Sequence, residues 1–220
     1  MNNRPKYDDE LQDLSTELIK MGATAAQAIE KAMKAIKDSD KELAKEIIEG
    51  DRVINDMEKD IEHRCLRLIL KQQPVARDLR KVSTAIKMVT DIERIGDAAS
   101  DIAEITIHLD ECEFQDIKNA VLNMAETAKN MVVSAIDAYV EENMILALNT
   151  IKQDDIVDEC FLSIRRELSK RLIANEHEMD VIMDYLMIIK YLERVGDHAV
   201  NVCEWVQFYM TGVHNDEKIV

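Results

Sequence analysis

The sequence predicts an all-α protein made of two similar three-helix bundles, six long helices in all. Three observations predict it. Breakers are scarce: 220 residues hold 5 Gly and 2 Pro, and 12 Met with only 4% aromatic residues suit helices better than sheets. Apolar residues recur at spacings of three and four along most of the chain, which is the stripe of amphipathic helices. A pentapeptide is also written twice. Glu93-Arg94-Ile95-Gly96-Asp97 returns as Glu193-Arg194-Val195-Gly196-Asp197, 100 residues later. That period is too long for a solenoid and fits a duplicated small domain.

The elements follow in order. Leu11, Leu14, Leu18, Met21, Ala25, Ile29, Ala32 and Ile36 form the stripe of a first helix, interrupted at Lys37-Asp38-Ser39-Asp40. Ser39 with Glu42 makes a capping-box pattern, so Ser39 is expected to cap the second helix. That helix carries Val53, Ile54, Met57, Ile61, Leu68 and Ile69, and ends at Gln73-Pro74. Pro74 is expected in the first turn of a third helix, which contains the first pentapeptide and runs to about Leu109. Asp110-Glu111-Cys112-Glu113 reads as a polar joint.

The plan then repeats. A fourth helix covers Phe114 to Tyr139, and a fifth runs from near Asn143 to about Ile173. Ala174-Asn175-Glu176-His177 turns the chain into a sixth, which holds the second pentapeptide and ends near Met210. Asp51 and Asn55 align with Asp154 and Asp158 early in the second helix of each half. Residues 1–110 and 111–213 are expected to be the two repeats, with 214–220 a frayed tail.

Composition narrows the function. With 28 Lys and Arg against 44 Asp and Glu, the net charge is −16. That disfavours direct nucleic-acid binding, which needs a basic footprint. It suits cations or a basic partner, or simply keeps the protein in solution. Cys65, Cys112, Cys160 and Cys203 form no Cys-x-x-Cys pair and read as small buried hydrophobes in a reducing compartment. The first residues show no apolar signal region, and no run approaches the ~18 apolar residues of a spanning helix. The expectation is a soluble cytoplasmic protein with no membrane insertion, able to dock on a membrane complex.

At ~100° per residue, Glu93, Asp97, Asp101 and Glu104 share one face, and Met88, Ile92, Ile95, Ala99 and Ile102 share the opposite one. Glu193, Asp197, Asn201 and Glu204 repeat the stripe against Ile188, Leu192, Val195, Ala199 and Val202. A solvated helix face is the plain reading of such a stripe. Against it, like charges three and four apart repel, and identical residues recur at 93/193, 97/197 and 104/204. Asp51 with Asn55, opposite Val53, and Asp154 with Asp158, opposite Ile156, form a second short stripe in each half. Two such stripes facing across a surface groove would give hard oxygen ligands for a cation.

Gly96 and Gly196 each weaken a helix by ~1 kcal/mol relative to Ala, so they mark either a plain helix crossing or an approach that brings carboxylates together. Arg94 and Arg194 are expected to hold carboxylates of adjacent helices. His198 reads either as a fifth ligand or, preferentially, as a partly exposed surface residue. A di-iron enzyme would want Glu-x-x-His, which is absent, as are a phosphate loop, a nucleophile elbow and a Cys/His zinc pattern.

Leu192-Glu193-Arg194-Val195-Gly196-Asp197-His198-Ala199-Val200-Asn201, its partial copy from Asp91 to Asp97, and the Gln-Pro-x-Ala-x-Asp-Leu-Arg segment at 73–80 closely resemble the PhoU family of phosphate-transport accessory proteins. The resemblance spans nearly the whole chain. It implies iron or zinc clusters on the bundle surface, held at Glu93 and Asp97, Glu193 and Asp197, Asp154 and Asp158, and Asp51. Asn55 and Ala98 depart from the family pattern, so the first-half site is expected to be weaker. The resemblance further implies a non-enzymatic negative regulator of phosphate uptake and phosphate-starvation signalling. Its partners would be the phosphate ABC transporter and a membrane sensor kinase, and it would be a homodimer. A metal-dependent hydrolase or oxidase using the carboxylates, and a metal-free helical scaffold, are the alternatives.

Overall fold

The computed structural model describes residues 4–109, 114–174, 178–214 and 217–218. The expected joint at 110–113 and the centre of the turn at 175–177 lie outside the described residues. Six helices carry the fold: α1 (Arg4–Asp38), α2 (Lys41–Gln72), α3 (Ala76–His108), α4 (Gln115–Val140), α5 (Met144–Ala174) and α6 (Met179–Thr211).

The caps show how the halves repeat. Asp40, not Ser39, caps α2: its side chain accepts from the Leu43 N–H at 3.0 Å. Ser39 has φ 52, a left-handed conformation that ends α1, whereas a capping residue must be extended. The next half does the same, with Glu142 at φ 49 and Asn143 Oδ1 accepting from the Leu146 N–H at 3.0 Å. Left-handed Gln73 closes α2 with its N–H on the Ile69 carbonyl. Val75 is extended and serves as the N-cap of α3, so Pro74 stays in the turn and does not enter the helix as expected.

Each outer helix packs within its own half: α2 against α1 and α3, α5 against α4 and α6. The halves join through α1 on α4 and α3 on α6. The α3–α6 pair is antiparallel, because Arg80 meets Tyr209, Thr84 meets Trp205 and Asp91 meets Asn201. The predicted core faces are buried: Met88, Ile92, Ile95, Ala99 and Ile102 on α3, and Ile188, Leu192, Val195, Ala199 and Val202 on α6, are at most 1% exposed. Each fully buried side chain of Leu or Ile size stabilises the fold by roughly 1.5–3 kcal/mol. Cys65 and Cys203 are buried free thiols, and Cys160 is half-buried. Beyond α6, β1 (Val213–His214) pairs antiparallel with β2 (Glu217–Lys218), within and beside the stretch expected to fray. Among the described residues no helix is long and apolar enough to cross a membrane.

Candidate functional site

The duplicated glycines explain why the acidic stripes meet. A Cβ on Gly96 would lie 2.7 Å from Ile54 Cδ1, and one on Gly196 would lie 2.8 Å from Asp154 Oδ1. The missing side chains therefore seat α2 closely on α3 and α5 closely on α6. In the second half the glycine makes room for a carboxylate itself.

The seating also corrects the direction read from the helix wheel. Val53 and Ile156, placed opposite the acids, are 55% and 49% exposed, while Ile54 and Val157 are buried. The buried residue stands ~60° from Asp51 or Asp154, so the acids flank the helix interface and do not point away from it. Glu93 and Glu193 side chains are only 14% and 17% exposed. These are half-buried carboxylates at the edges of two interfaces, not members of a freely solvated face.

In the second half Asp154 and Asp158 of α5 face Glu193 and Asp197 of α6. Asp154 Oδ1 is buried without a hydrogen-bond partner. Burial, reinforced by the charges of Asp158, Asp197 and Glu193, pushes the Asp154 carboxyl up to about 6. Burial and Glu193 also raise Asp197. Lys190 forms an ion pair with Glu193 and lies over the Phe161 ring, giving partial compensation.

In the first half Asp51 and Asn55 of α2 face Glu93 and Asp97 of α3. The Asn55 amide donates to Asp51 Oδ2 at 2.8 Å. Asp51 Oδ1, Asn55 Oδ1 and Glu93 Oε2 remain buried without hydrogen-bond partners. Arg94 Nε stands 3.5 Å from Glu93 Oε2, an ion-pair distance without hydrogen-bond geometry. Burial raises Asp51 and Glu93, with Asp97 the largest charge acting on each.

Sequence reasoning missed Glu58, which burial also raises and which interacts with Glu93, Asp97 and Arg94. It lies seven residues beyond Asp51, two helical turns along the same face, and that spacing was the signal for it. Its counterpart in the second half is Phe161.

Arg94 forms its ion pairs with Glu93 and Asp97 of its own helix, and its charge also acts on Glu58 of the neighbouring α2, the direction expected for it. Arg194 stacks 6.0 Å from the Tyr191 ring centroid, and its charge acts on Asp101. His198 is neither free on the surface nor gathered with the acids. Its Nδ1 lies 2.9 Å from Asp91 Oδ1 on α3, and the same oxygen accepts from Asn201 at 3.0 Å. The duplication supplies the mirror contact: Tyr191 hydrogen-bonds Asp101, where 191 and 101 are the counterparts of 91 and 201. Asp91 and Tyr191 thus tie each half to the other, beside the two acidic sites.

Among the described residues no three His, Cys, Asp or Glu side chains stand as a ready-made metal cage. The donor set nevertheless suits a hard cation. Orphaned, half-buried carboxylate oxygens with raised proton affinity are groups whose repulsion a cation would relieve.

Comparison with known proteins bears on the duplicated fold. The PhoU domain matches twice, over residues 18–106 and 121–206. A "phosphate-specific transport system accessory protein PhoU homolog" of Clostridium acetobutylicum is 39% identical over 214 residues, covering 97% of this chain and 98% of that one. The accessory protein PhoU of Escherichia coli is 29% identical over 207 residues, covering 94% and 86%. The crystal structure of PhoU from Pseudomonas aeruginosa superposes with TM-score 0.90 at 33% identity, covering 94% of this chain and all of that one. With the domain matched in both halves and the relatives aligned almost end to end, the chain belongs to the PhoU family.

Proposed function

We propose that this chain is a non-enzymatic regulator of phosphate transport. It restrains phosphate uptake and phosphate-starvation signalling by linking a phosphate ABC transporter to a membrane sensor kinase. The observation that carries the reading is near full-length similarity, in sequence and fold, to phosphate-transport accessory and regulatory proteins. The helical faces supply contact surfaces, and the absence of a nucleophile elbow, phosphate loop or Glu-x-x-His motif from the sequence leaves no catalytic constellation to assign.

Iron or zinc would be held at the two acidic sites, by Asp154, Asp158, Glu193 and Asp197 in one and by Asp51, Glu93 and Asp97 in the other. A bound cation would supply positive charge that draws α2 to α3 and α5 to α6, fixing the surface shown to a partner. A homodimer and a cytoplasmic location complete the proposal.

The test is co-purification from cells at high and low phosphate, with elemental analysis of the protein purified without chelators. Recovery of the transporter ATPase and the kinase, with metal lost on Glu193→Ala, is the expected result. No association with either partner at any phosphate level would refute the linking role. Absence of metal from the wild type would leave a metal-free adaptor.

A further inference from the structure

The turn between α2 and α3 is not used by the acidic sites, and its chemistry opposes that of the rest of the molecule. Residues 64–81 hold six Arg and Lys against one Asp, in a chain of net charge −16. Leu66, Leu70 and Val75 are 52%, 79% and 74% exposed. On α2, Leu66 and Leu70 face outward, away from buried Ile61, Cys65 and Leu68, while Arg67 and Lys71 flank them beside Arg64, along a cleft shared with Glu10 and Asp13 of α1. Arg64 and Arg77 are engaged, the first with Asp13 and Glu17 and the second with Glu142. Arg67 and Lys71 are exposed and form no ion pair among the described residues.

We propose that this turn is a docking tip for an anionic lipid bilayer. Leu70 and Val75 enter the interface, while Arg67 and Lys71 meet the headgroups. Charge complementarity selects the occupant. Exposed large apolar side chains flanked by basic ones match a surface that is apolar below and anionic above. The negative charge elsewhere does not forbid docking, because salt screens it within ~8 Å. The equivalent turn in the second half has equally exposed apolar residues, Ile173 at 87% and Met179 at 48%. However, it is followed by Glu176, Glu178 and Asp180. Exposure is thus common to both turns. Lys170 and Arg171 precede the second but are paired with Glu167 and Asp116, so unpaired basic side chains distinguish the first.

The inference is independent of the cation sites and of the phosphate partners. It is tested by co-sedimentation of the full chain with phosphatidylcholine vesicles and with vesicles containing about one-third phosphatidylglycerol. Binding is expected only to the anionic vesicles, and to fall at high salt. Each basic residue near such a surface contributes about fivefold, so Arg67→Ala with Lys71→Ala should weaken binding by about 25-fold. Leu70→Ser with Val75→Ser should weaken it comparably, and Ile173→Ser should leave it unchanged. Equal binding to neutral vesicles, or insensitivity to both double substitutions, would overturn the proposal. So would failure to bind the anionic vesicles; loss of a protein partner on the Arg67 and Lys71 substitutions would then assign the tip to an acidic protein.

Discussion

Asp154→Asn tests whether the acidic sites are repulsive when metal-free. The substitution keeps the shape and removes one charge from a cluster of four carboxylates. In the folded protein the Asp154 carboxyl stands at about 6, against 3.8 for the free side chain. A shift of that size is at most ~3 kcal/mol of unfavourable ionisation. Asp154 is half-buried, so solvent screening reduces this to roughly 1–1.5 kcal/mol. The sign follows from linkage: the folded state holds the proton more tightly than the unfolded one. Protonation therefore stabilises wild type as pH falls from above 6 towards 4, and that contribution is lost as pH rises through about 6. In chelator-treated protein at pH 8, Asp154→Asn should be the more stable by roughly 1–1.5 kcal/mol, or about 3–5 °C in Tm for a protein of this size. The gap should close by pH 4. Saturating zinc or manganese should reverse the order, because the wild type has the stronger site. Calorimetric melts at both pH values, with and without cation, provide the readout. A variant less stable than wild type at pH 8 without metal would refute the argument, since Asp154 would then be making a favourable bond.

The glycines should respond differently. Gly96→Ala forces a Cβ onto buried, branched Ile54 and should destabilise by roughly 1–3 kcal/mol despite better helix propensity. Gly196→Ala meets Asp154 Oδ1, which can swing towards water, so denaturant melts should change less while cation affinity at the second site falls. Asp91→Ala strips the acceptor from His198 and Asn201 and should lower stability by roughly 1–3 kcal/mol in urea titrations. Asp40→Ala should cost about 1 kcal/mol by removing the α2 cap, whereas Ser39→Ala should alter the thermal midpoint little.

The helices were legible because the apolar period is long and breakers are few. Both core faces were read correctly from residues spaced three and four apart. Errors arose where one residue decides direction. Ser39 and Asp40 are both good caps by type, and only the left-handed backbone at Ser39 separates them. The Asp51 and Asp154 stripes were aimed by the positions of Val53 and Ile156, but the neighbouring Ile54 and Val157 carry the packing. Periodicity locates a stripe and leaves its rotation about the helix axis uncertain by roughly half a face. The meeting of α2 with α3 and of α5 with α6 was foreshadowed by the mid-helix glycines. The ties from Asp91 to His198 and from Tyr191 to Asp101 were not, because partners about 100 residues apart on antiparallel helices leave no local signal.

The two acidic sites differ in kind more than in charge. Asn55 removes a carboxylate from the first site, but Glu58 brings one back two turns along α2. Each site then has four acids, with Arg94 paired to acids of the first and Lys190 to an acid of the second. The expectation of a weaker first site rested on Asn55 and Ala98, and it left Glu58 out. What separates the sites is the place of their glycine. Gly96 admits Ile54, so apolar contact carries the helix approach there, and Asn55 already occupies one Asp51 oxygen. Gly196 admits Asp154 itself, leaving an unpaired oxygen between carboxylates of two helices. A cation bound there would relieve more repulsion at the second site, where the unpaired Asp154 oxygen lies among Asp158, Glu193 and Asp197.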